Sequence, residues 1–192
     1  MTKHNSFETL AVHAGEDPDQ FAGSVSVPIF NASVFAFTDA DEAAAIHNFE
    51  KPGWFYGRLG NPTQDALERA VCQLEGGESA LAFASGMAAV TGAILTAVRS
   101  GDHIVAPAAH YSTTGSFLEF LESDFGVAVT YIDQTDPENY RAAIRPETKL
   151  LYIETPSNPT LKITDLEAVA AIARENGLTT ICDNTFATPF NQ

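Results

Sequence analysis

Apolar positions in the second half of the chain arrive in short runs separated by stretches with helical spacing. The runs are ALAFAS (80–85), HIVAP (103–107), VAVTYI (127–132), KLLYIE (149–154) and TTICD (179–183). Between them lie GMAAVTGAILTAVR, a polar-capped segment around residues 116–122, PENYRAAI and TDLEAVAAIAREN. Short apolar runs predict buried strands, and the intervening segments predict amphipathic helices. Thr164 and Glu167 have the spacing of a capping box ahead of the last helix. Strand alternating with helix implies a mostly parallel sheet covered by helices on both faces.

The first half follows a different rhythm. In NPTQDALERAVCQLEGG (61–77), Asn61 can cap a helix and Pro62 suits its first turn. Ala66, Leu67, Ala70, Val71 and Leu74 then form one face, and Gly76-Gly77 ends it. Thr38 and Asp41 resemble a capping pair before a short helix at residues 43–46. Residues 1–37 show little helical period and read as an extended arm. The division expected is 1–60 as N-terminal arm and inter-subunit loop, then 61–192 as the first part of an α/β domain.

Composition narrows the classes. Hydrophobic residues make up 45% and charged residues 18%, enough for a packed core. A net charge of −15 repels polyanions, which argues against nucleic-acid or anionic-membrane partners. Cys72 and Cys182 form no disulfide framework or metal spacing and read as buried thiols. The five histidines show no metal-ligand pattern. With no apolar signal region and no run of ~18 apolar residues, a cytoplasmic location is expected.

In parallel sheets ligands gather beyond the carboxyl ends of strands, which singles out Ser85, residues 107–111, residues 154–158 and Asp183. In FASGMAAV (83–90) the amides of Gly86 and Met87 would project from a helix N-terminus toward an anion. No Gly-Lys-Ser/Thr follows, so this is not a Walker loop; an ordinary strand-to-helix turn explains the stretch as well. YGRLGNPT (56–63) carries Tyr56 and Arg58, a hydroxyl and a planar fork suited to phosphate, or else a packing ring and a solvated cation. Tyr111 could cover a flat ligand or close a core edge. ETPSNPT (154–160) holds Asn158 in a stiff loop, as a ligand contact or as a plain turn. Asp183, emerging from a buried strand, needs a partner such as a protonated ring nitrogen, or it caps the next turn.

Taken together these groups offer a phosphate grip, an aromatic cover, an oxygen contact and an anion for a pyridinium, the needs of pyridoxal 5′-phosphate (PLP). The set HAGEDPD, VPIF, YGRLGNPT, SGMAA, ETPSNP and CDNTF resembles, in order, the trans-sulfuration (Cys/Met metabolism) PLP-dependent enzymes of fold type I. That group includes cystathionine γ-synthase, cystathionine lyases, methionine γ-lyase and O-acetylhomoserine sulfhydrylase. The resemblance implies an aspartate aminotransferase-like large domain and γ-replacement or γ-elimination on a small sulfur amino-acid substrate. It implies phosphate binding by Gly86 and Met87, ring stacking and proton transfer by Tyr111, a contact to the 3′-oxygen side by Asn158, and a ring-nitrogen partner in Asp183. Tyr56 and Arg58 would reach the phosphate of a neighbouring subunit in a homo-oligomer, usually a dimer of dimers. Thr113 stands where methionine γ-lyases typically carry cysteine.

Family members hold the cofactor on a lysine within a Ser/Thr-rich segment beyond the aspartate. Here Lys3, Lys51, Lys149 and Lys162 all precede Asp183. The resemblance therefore makes this an N-terminal part of a longer enzyme, inactive by itself and without the small C-terminal domain. Two other readings remain from the residues: a complete, non-catalytic chain that binds PLP reversibly, and an α/β domain for another phosphorylated small molecule.

Overall fold

A computed structural model describes residues 6–192. They form two compact units, one ending at Ala82 and the other running from Phe83 to Gln192. In the first unit Ser6 caps α1 (Phe7–His13), its Oγ accepting from the Thr9 amide at 3.4 Å. The arm is therefore helical at this point, where a local cap outweighs a weak apolar period. The expected Thr38–Asp41 pairing shifts by one residue. Asp39 caps α2 (Ala40–His47) by accepting from the Glu42 amide at 2.8 Å, and Glu42 accepts in return from the Thr38 amide at 2.7 Å. This resembles a capping box, with the return bond made one residue earlier, at Thr38 instead of the N-cap Asp39.

Asn61 and Pro62 start α3 (Pro62–Leu74) as expected, with the Asn61 carboxamide accepting from the Thr63 amide at 2.9 Å. The same cap ties down the arm. The Thr63 hydroxyl donates to the Pro28 carbonyl at 2.8 Å and accepts from the Phe30 amide at 2.9 Å, while Asn61 donates to the Phe30 carbonyl at 2.8 Å. Of the predicted apolar face, Ala66 is buried, but Leu67 and Val71 remain 56% and 39% exposed. Short α1 packs on α3 and covers only part of that face. Their close approach requires glycine at position 15: φ is +81°, and a Cβ there would lie 2.2 Å from the Ala66 carbonyl oxygen.

The second unit starts with α4 (Gly86–Ala97), followed by β1 (His103–Pro107), α5 (Ser112–Phe125) and β2 (Ala128–Ile132). Then come α6 (Pro137–Ala143), β3 (Thr148–Glu154), α7 (Leu166–Asn176), β4 (Thr179–Asp183) and the short α8 (Thr188–Asn191). The strands form one parallel sheet in the order β2-β1-β3-β4. Alternation along β1 and β3 sends side chains to both faces. Ile104, Ala106, Leu150 and Tyr152 pack with Ile94 of α4 and with Leu118 and Leu121 of α5. Val105, Leu151 and Ile153 pack on the other face with Tyr140 of α6 and with Val169 and Ile172 of α7. Each fully buried side chain of this size contributes about 1.5–3 kcal/mol relative to exposure.

Three further expectations change. Residues 80–85 are not a strand: a strand exists only through its ladder, and none of the four strands pairs with this stretch. Its Leu81 and Phe83 are 77% and 47% exposed. Helix α5 begins at Ser112, four residues ahead of the segment the sequence suggested. The cap of α7 is Asp165, which accepts from the Ala168 amide at 3.0 Å, while Thr164 is buried and donates its amide to the Thr155 hydroxyl at 3.1 Å. Among the described residues no helix is long and apolar enough to cross a membrane.

His103 is wholly buried, with Nδ1 2.8 Å from the Thr148 hydroxyl and Nε2 2.9 Å from the Thr130 hydroxyl. Burial, assisted by the nearby Arg145 charge, holds its pKa below the ordinary imidazole value. The unfolded chain therefore takes up this proton first, near pH ~6.5. Its contribution to stability is complete above that pH and falls as pH drops toward the folded-state pKa. Urea midpoints at pH 7.5 and 5.5 should show a loss on acidification that is smaller in His103→Gln. Gly15→Ala should destabilise the first unit by ~1–3 kcal/mol, the order of cost for a strained left-handed residue. Amide exchange along α1 and α3 measures that loss.

Candidate functional site

The connections of the sheet decide where a ligand can sit. From β1 the chain crosses to β2 on one side, then places β3 on the other side of β1. Loops leaving β1 and β3 diverge at this switch point and leave a crevice beyond their carboxyl ends. A cavity of about 430 Å³ opens there, reaching across to the end of β4 and the start of α4. Gly86, Met87, Tyr111, Asn158 and Asp183 all line it, although they come from four separate stretches of sequence.

Each residue is held by its element. Ser85 caps α4, accepting from the Ala88 amide at 3.1 Å. The Gly86 and Met87 amides precede the first intrahelical donor position and have no acceptor within the helix. A Cβ added at Gly86 would meet nothing within 4 Å, so the start of α4 is uncrowded on that side. Tyr111 is the N-cap residue of α5 and makes no side-chain cap bond. Its amide instead donates to Glu154 Oε2 at 2.8 Å, and the Asn158 amide donates to Glu154 Oε1 at 2.7 Å. Asp183 Oδ1 accepts from the Thr185 amide at 3.1 Å and from its hydroxyl at 2.5 Å. The turn-capping role and a place in the cavity thus coexist, since both bonds fall on Oδ1 rather than Oδ2.

Three lining residues were given no role by the sequence, although Glu154 falls in the singled-out stretch 154–158. Glu154 is only 4% exposed and sits beside Asp183 in the register of β3 and β4. Its signal was its strand-end position, but its partners are backbone amides, which leave no mark in residue type. Tyr152 is wholly buried along its ring, and burial, together with the Asp183 charge, raises its phenol well above the ordinary range, keeping the hydroxyl protonated. Asn184 Oδ1 is buried without a hydrogen-bond partner. Cys182, expected as a buried thiol, is exposed because β4 is a sheet edge; Cys72 is half-buried.

Tyr56 and Arg58 lie in the first unit. An isolated antiparallel bridge joins Tyr56 to Val34, and the Gly57 amide donates to the Ser33 carbonyl at 2.8 Å. The Arg58 guanidinium stands 5.2 Å from the Tyr56 ring centre and takes part in none of the ion pairs found among the described residues. Lys51, Lys149 and Lys162 do not line the cavity. Lys162 pairs with Asp133 at 3.0 Å, and Lys51 pairs with Glu42. Lys3 lies outside the described residues.

A family profile described as Cys/Met metabolism PLP-dependent enzyme matches residues 8–192. The chain belongs to that family. The family's cofactor is PLP. L-Methionine gamma-lyase of Pseudomonas putida is 39% identical over 186 residues, covering 97% of this chain and 47% of that enzyme. Cystathionine beta-lyase of Bacillus subtilis is 43% identical over 190 residues, covering 98% of this chain and 46% of that enzyme. A crystal structure of a putative O-acetylhomoserine (thiol)-lyase from Campylobacter jejuni superposes with a TM-score of 0.90 at 35% identity, over 97% of this chain and 46% of the other. That structure carries an N′-pyridoxyl-lysine-5′-monophosphate. The chain spans about half the length of the relatives it matches.

The cavity's donor set fits the cofactor on its own terms. Two helix-terminal amides can take a phosphate, an aromatic side chain lines one wall, and the Asp183 side chain supplies an acceptor.

Proposed function

We propose that the strand-end cavity is a PLP site and that the whole protein performs γ-replacement or γ-elimination on a sulfur-containing amino acid or homoserine ester. The convergence of Gly86, Met87, Tyr111, Asn158 and Asp183 on one cavity carries this reading. Gly86 and Met87 would hold the phosphate through their amides, with the α4 dipole reinforcing the grip. Tyr111 would cover the ring and offer its phenolic oxygen for moving a proton. Asn158 would contact the 3′-oxygen side. Asp183 Oδ2 would keep a proton on the ring nitrogen, and the neighbouring Glu154 side chain adds to the local demand for a cation. When bound, the cofactor supplies an electron sink for charge developed at the substrate's α-carbon.

Tyr56 and Arg58 would serve the phosphate of a neighbouring subunit in a homo-oligomer arranged as a dimer of dimers. Support comes from their exposed loop and from the absence of any ion pair at Arg58 among the described residues. None of Lys51, Lys149 and Lys162 lines the cavity. We assign the cofactor-bearing lysine to none of them and expect the 192-residue chain by itself to lack turnover. The relatives named above include both a γ-lyase and a β-lyase at comparable identity, so overall similarity does not choose the leaving position.

Titration of the chain with PLP, pyridoxal and inorganic phosphate tests the site. PLP should bind more tightly than either other ligand. Asp183→Asn and Arg58→Ala should each weaken it by about tenfold, the equivalent of ~1.4 kcal/mol. Borohydride treatment of the complex should leave Lys51, Lys149 and Lys162 unmodified. Equal affinity for PLP and inorganic phosphate would reduce the site to a generic anion site, and a fixed adduct on Lys149 or Lys162 would contradict the lysine assignment.

A further inference from the structure

We propose that Glu154 is a positioning residue: its side chain clamps Tyr111 and Asn158 into one unit, so that the two walls of the cavity move together. The consequence for cofactor binding rests on the PLP reading above; the clamp itself does not.

Tyr111 follows β1, and Asn158 follows β3. Nothing in their own loops aligns the two. Tyr111 makes no side-chain cap bond; the residues before it are held by His110 Nδ1, 2.6 Å from the Pro107 carbonyl, and by Gln134, whose Nε2 donates to the Ala109 carbonyl at 3.2 Å, but neither bond reaches the Asn158 loop. Glu154 joins the two loops from the last residue of central β3, where it is 4% exposed and its backbone is fixed by the sheet. One carboxyl oxygen receives the Tyr111 amide at 2.8 Å and the other receives the Asn158 amide at 2.7 Å. Only a carboxylate at this position offers two acceptor oxygens and no competing donor. Glutamine has the same shape but presents one acceptor and one NH2, so it can keep one amide and must face the other with a donor. Aspartate is a methylene shorter and draws back from both. An apolar wall residue would leave both part-buried amides without their acceptor.

A merely structural role predicts loss of stability alone. A clamp predicts coupling between Tyr111 and Asn158, which substitution at Glu154 should abolish. The test uses the 192-residue chain as wild type, E154Q, Asn158→Ala and the double variant, with amide hydrogen exchange, PLP titration and thermal unfolding measured on each. In E154Q, exchange at the Tyr111 or Asn158 amide should accelerate about tenfold, as expected for loss of one hydrogen bond to a charged group. Val105 and Leu151 amides should be unchanged. PLP should bind about tenfold more weakly in E154Q, and Asn158→Ala should weaken it less in the E154Q background than alone. Unchanged exchange at both amides overturns the clamp, and so do strictly additive effects on PLP affinity. If wild type fails to bind PLP while E154Q still frees an amide, the clamp stands and the cofactor reading falls.

Discussion

Everything in the second unit depends on one constraint: parallel strands must leave the sheet at the same end. A parallel pair cannot be joined by a tight turn, so each connection crosses over a face and returns to begin the next strand alongside. The loops after β1, β3 and β4 therefore emerge together. Because β3 lies on the opposite side of β1 from β2, the loops after β1 and β3 part company there. The crevice is a product of strand order, and side chains only furnish it. Apolar packing on both faces, through Ile104, Leu118 and Leu150 on one and Val105, Leu151 and Ile172 on the other, keeps that geometry in place.

Polar groups in the crevice are arranged economically. Ser85 satisfies an inner amide of α4 and leaves the outermost ones to a ligand. Asp183 braces its own turn through Oδ1 while the residue lines the cavity. Glu154 uses both oxygens on backbone amides. Raised by burial and by Asp183, the Tyr152 phenol remains a neutral donor. A chain with a net charge of −15 can still host a phosphate here, because helix-terminal amides act at contact distance while the distant field is screened.

How much of this the sequence disclosed follows from the kind of signal each feature leaves. Four strands were legible because β1 to β4 are short apolar runs between helical periods. Residues 80–85 carry the same local signal and form no strand, since pairing is a property of the neighbour. Caps drifted by one residue at Asp39 and Asp165, where a threonine and an aspartate stand side by side and backbone dihedrals decide between them. Gly86, Met87, Tyr111, Asn158 and Asp183 were legible through the strand-end rule and the family's motifs, and they share one cavity. Glu154 stood in the stretch that rule singles out, but its role was not legible, because amide partners are invisible to residue type. Nor was the exposure of Cys182, which depends on β4 being an edge.

The central claim is that the crevice beyond β1, β3 and β4 receives PLP with its phosphate at the start of α4. Amide chemical-shift mapping during a PLP titration of the 15N-labelled chain tests it most directly. The account predicts the largest shifts at Gly86 and Met87, with smaller ones at Tyr111, Asn158 and the residues around Asp183, and little change in α6 and α7 on the far face. Shifts centred elsewhere, or a response at Asp183 that leaves Gly86 and Met87 untouched, would contradict it.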